Sequence, residues 1–134
     1  MKDITIIEQD RPGLLASIAC ALGRDVINIK RFAAHGVGGN AVITLGVSDV
    51  DRALRVLRDN KINAIVEEIM IAKLDDKPGQ LAEVVLKLKD IGCNLKSAYV
   101  VGRSGSQVLV AFAVDDTERA KLALGDLILK NWEE

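Results

Sequence analysis

The stretch Asp10-Arg11-Pro12-Gly13-Leu14-Leu15-Ala16 returns 66 residues later as Asp76-Lys77-Pro78-Gly79-Gln80-Leu81-Ala82. Both prolines of the chain lie in it. Each copy is followed at one fixed distance by Asn, an aliphatic residue and Lys: Asn28-Ile29-Lys30 and Asn94-Leu95-Lys96. A constant period of this length signifies two copies of one structural unit. The duplication divides the chain into residues 1–67 and 68–134.

Before the first turn, Ile4-Thr5-Ile6-Ile7 is a β-branched run, which predicts a strand that stops at Glu8-Gln9-Asp10. After it, Leu14, Leu15, Ile18, Ala19 and Leu22 recur at helical spacing, with Gly23 as the expected stop. A second strand is expected from Val26 to His35, a glycine-rich hairpin loop at 36–40, and a third strand from Ala41 to Val47. Ser48-Asp49 opens a second helix with Val50, Ala53, Leu54 and Leu57 inward, and Ile62 to Val66 reads as a fourth strand. The order β-α-β-β-α-β is the ferredoxin-like, split βαβ unit, an antiparallel sheet with both helices on one face.

The second copy repeats this order. Ile69 to Leu74 reads as a strand, Gly79 to Asp90 as a helix with Leu81, Val84, Val85 and Leu88 inward, and Cys93 to Val101 as a strand. The hairpin loop at 102–107 reads as one residue longer than its counterpart, because from Val108 onward the period is 67. Asp116 to Leu124 matches the second helix, while residues 125–134 leave a shortened strand and a continuing helix both open. No Gly-, Pro- or Ser-rich linker separates the copies at Val66-Glu67-Glu68-Ile69, which implies a fixed packing between them. The fold class is therefore α+β, two ferredoxin-like units with antiparallel sheets, the last strand of the second left open.

Composition narrows the function. Each unit is near the lower size limit for a self-sufficient core, so the units should lean on each other or on a second chain. The net charge of −1 supplies no field to gather nucleic acid or an anionic membrane, and 3% aromatic residues leave little with which to stack bases. Cys20 and Cys93 form no disulfide framework and read as small buried hydrophobes in a reducing compartment. The start of the chain lacks a secretory pattern and no apolar run reaches membrane-spanning length, so a cytoplasmic protein is expected. His35, the one histidine, has no partner suggested by spacing, and Lys30-Arg31 with Arg52, Arg55 and Arg58 reads as solvated surface. Spacing suggests no nucleophile, metal cluster or general acid–base pair, so no catalytic residue, metal or cofactor is expected.

The repeated turn is the chemical candidate. The first turn of a helix has N–H groups without intrahelical partners and a partial positive charge, which suits a carboxylate or phosphate. Glycine lets a ligand approach the backbone, and the preceding proline sets the entry angle. The competing reading makes Asp10 and Asp76 plain helix caps. Asparagine is disfavoured in strands, so Asn28 and Asn94 either satisfy a loop carbonyl or offer donor and acceptor to a ligand. Turn and asparagine together, twice, point to a small zwitterion.

Asp-basic-Pro-Gly-x-Leu-Ala, followed by a helix and a strand opening on Asn-aliphatic, resembles the ACT domain, a ferredoxin-like regulatory module that binds amino acids. The resemblance covers nearly the whole chain, twice. It implies two units with sheets side by side and ligands between the turn of one unit and the neighbouring strand of the other. Carried over, Asp10, Arg11, Gly13, Leu14, Leu15, Asn28 and Ile29 would line one site, and Asp76, Gly79, Gln80, Leu81, Asn94 and Leu95 its counterpart. The aspartates would take the ligand's ammonium and the helix start its carboxylate. Serine-binding ACT units carry Asn where Asp10 and Asp76 stand and His where Glu8 and Leu74 stand, so serine is not implied. Gly92 precedes the second strand as usual in the family, but Val26 replaces it in the first copy, and Leu14 against Gln80 makes the two sites unlike. The implied protein is a non-enzymatic, homodimeric amino-acid sensor acting on a metabolic enzyme or regulator; the alternative is an interaction subunit with vestigial sites. An enzyme on this frame has no catalytic set to support it.

Overall fold

In a computed structural model, which describes residues 1–132, the chain forms two compact units. One spans Lys2–Glu67; the other begins at Glu68 and includes Met1. The first contains β1 (Lys2–Gln9), α1 (Leu14–Arg24), β2 (Ile29–Val37), β3 (Asn40–Val47), α2 (Val50–Asp59) and β4 (Ala64–Glu68), with sheet order β2-β3-β1-β4. The second contains β5 (Met70–Asp75), α3 (Gln80–Asp90), β6 (Leu95–Ser104), β7 (Gln107–Val114) and α4 (Thr117–Leu124), with sheet order β5-β7-β6. The α+β, twice-repeated βαββαβ architecture expected from the duplication is the one observed.

Each core is the apolar face of a sheet closed by two helices. Alternation places Ile4 and Ile6 of β1 and Ala41, Ile43, Leu45 and Val47 of β3 against Leu14, Ile18 and Leu22 of α1 and Ala53 and Leu57 of α2. In the second unit Met70, Ala72, Leu74, Val108, Val110, Phe112 and Val114 meet Val84, Leu88, Ala120 and Leu124. The α1 stripe is rotated from its expected position, since Ala21 is buried and Ala19 exposed. Leu81, expected inward, is 54% exposed. Cys20, expected buried, is exposed, whereas Cys93 is buried as expected.

Residues 125–132 form neither a full strand nor a continued helix. A 3-10 turn at Gly125–Leu127 follows α4, and Ile128 then makes a single antiparallel bridge to Ala72 while the Leu129 N–H donates to the Ile71 carbonyl at 2.8 Å. The bridge stands beside β5, where β4 stands beside β1 in the first unit. Leu129 and Trp132 then pack on Ile69, Ile71, Ala111 and Ala113, the sheet face opposite the helices.

Helix α1 does not stop at Gly23. It ends in a Schellman closure: the Ile27 N–H donates to the Leu22 carbonyl, the Val26 N–H to the Gly23 carbonyl, and Val26 takes the left-handed conformation at φ 57°. The second copy has the same bonds, from Cys93 to Leu88 and Gly92 to Lys89, with Gly92 at φ 68°. Strands β2 and β6 therefore begin at Ile29 and Leu95, later than expected. A β-branched residue in this conformation is strained by about 1–2 kcal/mol, and Val26 is also 86% exposed. Val26→Gly is expected to stabilise the protein by about 0.5–1 kcal/mol, the strain relief less the extra freedom glycine adds to the unfolded chain. Urea denaturation checks this, and a variant no more stable than the parent overturns it.

The one-residue insertion is not in the hairpin loop. Both hairpins turn on two residues, because Val37 pairs with Asn40 and Ser104 with Gln107. The extra residue is absorbed as a β-bulge in β6, between Val100 and Gly102. A two-residue loop fits the strand twist, so the insertion is accommodated along the edge strand instead. The bulge shifts the register of everything between it and the loop: Gly36 pairs with Ala41, and Arg103 pairs with Val108, the residue that matches Ala41.

Arg31 is not part of a solvated face. Its guanidinium pairs with the carboxylate of Asp3, with side-chain exposures of 14% and 2%. It lies over Gly46, its cross-strand partner, where a Cβ would stand 2.7 Å from Arg31 Cγ.

Candidate functional site

The turn between β1 and α1 is built by glycine. Gly13 caps the helix at φ 84°, and Gly79 caps α3 at φ 87°, a conformation that L side chains rarely adopt. Neither helix has a side-chain cap, so Asp10 and Asp76 are not helix caps. The Leu14 N–H donates to the Arg11 carbonyl at 3.3 Å and the Ser17 N–H to the Gly13 carbonyl at 2.9 Å. That leaves the amides of Leu15 and Ala16 without intrahelical acceptors at the positive end of α1.

A cleft of about 320 Å³ opens at this turn, lined by Asp10, Arg11, Gly13, Leu14, Leu15 and Ala16, and on the sheet side by Ala34, His35 and Gly36. The Asp10 carboxylate reaches over β2: a Cβ at Gly36 would stand 2.9 Å from its Oδ2. Among the described residues nothing hydrogen-bonds or ion-pairs with that carboxylate. The cleft thus offers one carboxylate, Arg11 and His35 as further polar lining, two N–H donors and an apolar floor of Ala41 and Ile43.

The corresponding cleft of the second unit, about 240 Å³, is lined by Asp76, Lys77, Gln80 and Leu81 of the turn and helix and by Ala98, Tyr99 and Val100 of β6. Here the aspartate is engaged, since the Arg103 guanidinium pairs with Asp76 Oδ2. Sequence reading missed Arg103 because the unshifted period aligns it with Val37; only the bulge places it at the position of Gly36.

The asparagines stand elsewhere. Asn28 precedes β2 at the end remote from His35 and Gly36, and eight residues of extended chain separate the two ends by roughly 26 Å. Its backbone is clipped to the start of α2, with the Asn28 N–H donating to Ser48 Oγ at 3.0 Å and the Ser48 N–H to the Asn28 carbonyl at 2.9 Å. Asn94 is held likewise, its N–H donating to Asp115 Oδ1 at 2.9 Å. That bond, followed by one from the Cys93 thiol, holds the Asp115 carboxyl below its ordinary pKa, while burial foremost pushes the Cys93 thiol up. Both asparagine side chains are exposed and form no hydrogen bond among the described residues. Ile29 and Leu95, half-buried, follow them at the strand starts. The structure therefore brings Asp10, Arg11, Gly13, Leu14 and Leu15 together, and Asp76, Gln80 and Leu81 together beside Gly79. Within a unit it joins neither group to its asparagine.

A larger cleft of about 680 Å³ lies at the curtailed end of the second sheet, between Ile71, Ile128 and Trp132. Its carboxylate, Glu68, is 3.1 Å from the Met1 ammonium, and Lys121, Lys130 and Asn131 add polar lining. Among the described residues no cluster of His, Cys, Asp or Glu could hold a metal, and no helix is long and apolar enough to cross a membrane.

Comparison with known proteins agrees with this fold. The family described as "ACT domain pair" matches residues 5–132. Protein BT0572 from Bacteroides thetaiotaomicron has a similar fold, with 20% identity over 96% of this chain and 90% of that one and a TM-score of 0.79. The regulatory subunit of aspartate kinase from Thermus thermophilus, in its ligand-free form, aligns with 20% identity over 92% and 87% of the two chains at a TM-score of 0.63. Its counterpart from Thermus flavus gives 18% identity, 92% and 89% coverage and a TM-score of 0.65. No curated protein matches the sequence.

Proposed function

The chain belongs to the ACT domain pair family, and from that premise we propose that it is a non-enzymatic regulatory protein that binds a free amino acid at its glycine turn. The observation that carries the reading is the first cleft: an unengaged Asp10 carboxylate beside the unsatisfied amides of Leu15 and Ala16. The carboxylate suits an α-ammonium and the helix start suits an α-carboxylate.

The asparagine enters from a second copy of the chain. Asn28 is too far from its own turn to share a ligand with it, and β2 is an edge strand of its sheet, the kind of strand that can pair with another chain. Phe32, 63% exposed on that strand, adds apolar surface for a homodimer contact. A ligand bridging two chains binds the dimer better than the monomer, the differential contact through which occupancy reaches a partner enzyme or regulator. The likeness of fold to an aspartate kinase regulatory subunit supports an enzyme partner.

Thermal unfolding with the common L-amino acids, each tested singly, examines the reading. A ligand at about 100 times its dissociation constant stabilises the fold by about 2.7 kcal/mol. The expected result is a raised midpoint with one amino acid or a related group, a rise that both Asp10→Asn and Asn28→Ala reduce. If none of them moves the midpoint of a cooperatively melting protein, the interaction subunit with vestigial sites becomes the better reading.

A further inference from the structure

Resting on the amino-acid reading of the turn, we propose that the two sites are unequal by construction: the first takes the ligand, and Arg103 closes the second to it. The β6 bulge sets Arg103 where the first unit has Gly36. In the first unit the missing side chain at Gly36 lets the Asp10 carboxylate lie over β2, with no ion-pair or hydrogen-bond partner among the described residues. In the second, the residue at that position is Arg103, and its guanidinium pairs with Asp76.

The exclusion does not rest on the strength of the pair. Asp76 and Arg103 are 53% and 64% exposed, and ion pairs in such settings are individually weak. It rests on charge. An ammonium approaching Asp76 must displace the paired guanidinium or lie beside it, whereas among the described residues no guanidinium pairs with Asp10. A repulsive element at one site is how binding proteins commonly separate otherwise similar partners. The other differences point the same way: Gln80 replaces Leu14, and Tyr99 and Val100 line the second cleft where Ala34, His35 and Gly36 line the first. Position 103 is thus the specificity determinant of the second turn.

The test is equilibrium dialysis of the full chain against the common L-amino acids, each at millimolar concentration, for the parent, Asp10→Asn, Asp76→Asn and Arg103→Gly. The parent is expected to bind at one site per chain. Asp10→Asn should weaken that binding about tenfold or more, as loss of a charge-assisted hydrogen bond does, while Asp76→Asn leaves it unchanged. Arg103→Gly should raise the stoichiometry to two. Two equal sites in the parent, equal losses from the two aspartate substitutions, or one site retained in Arg103→Gly each overturn the asymmetry and leave amino-acid binding standing. No binding to any of the four proteins overturns the amino-acid reading, and the asymmetry with it.

Discussion

Replacing Arg31 with methionine is expected to cost about 3–5 kcal/mol, the range for removing one partner of a buried ion pair. Asp3 is 1% exposed, so its charge lies far from bulk water. With the guanidinium gone, the buried carboxylate loses the counter-charge of its ion pair with Arg31. The second unit shows that the fold has no general need of the pair. Register continues Asp3 to the position opposite Gly46 and Ile69 to that opposite Ala113, and Ser97 pairs with Ala113 where Arg31 pairs with Gly46. The same three positions are thus Asp3, Arg31 and Gly46 in one unit and Ile69, Ser97 and Ala113 in the other. Replacing a buried pair with apolar residues of similar volume is often neutral, so Asp3→Ile combined with Arg31→Met should recover most of the loss. Urea unfolding followed by circular dichroism reads both variants. A cost below about 1 kcal/mol for Arg31→Met would show a pair screened by solvent, contrary to its burial.

Phe112→Ala is expected to cost about 3–5 kcal/mol, the range for deleting a buried aromatic side chain from a packed core. Phe112 is 0% exposed, the bulkiest of the fully buried residues, and sits at the centre of β7 between Met70 and Ala98 on its two neighbouring strands. A unit of this size has a total stability of roughly 3–10 kcal/mol, so the substitution should remove a large fraction of the second unit's stability. Phe112→Leu introduces the residue that stands at the equivalent position of the first unit, Leu45, and should cost markedly less. Near-equality of the two variants in chemical denaturation would argue that the ring makes few contacts the leucine does not.

The turn was legible because its chemistry is local. A glycine that must take φ near 85°, a fixed-φ proline before it and an apolar helical stripe after it announce the element wherever it occurs. The strands were legible where one face is buried, as in β3 with its clean alternation. The burial of Arg31 was not, because a charged residue in a strand looks like surface until the strand carrying Asp3 is placed across Gly46. The closure of α1 was hidden for a related reason: Gly23 looked like the stop, yet hydrogen bonding to Leu22 puts the left-handed residue at Val26.

By itself the sequence determined the duplicated βαββαβ order, the glycine turns and the presence of a carboxylate at each, since propensity, period and backbone conformation are properties of short stretches. Only the tertiary structure decided that each asparagine stands remote from its own turn, that the insertion is a bulge in β6, and that Arg103 meets Asp76 while Asp10 stands open. Those are matters of strand register, and register is set by pairing between residues far apart in the chain, where one extra residue moves every side chain beyond it to a new partner.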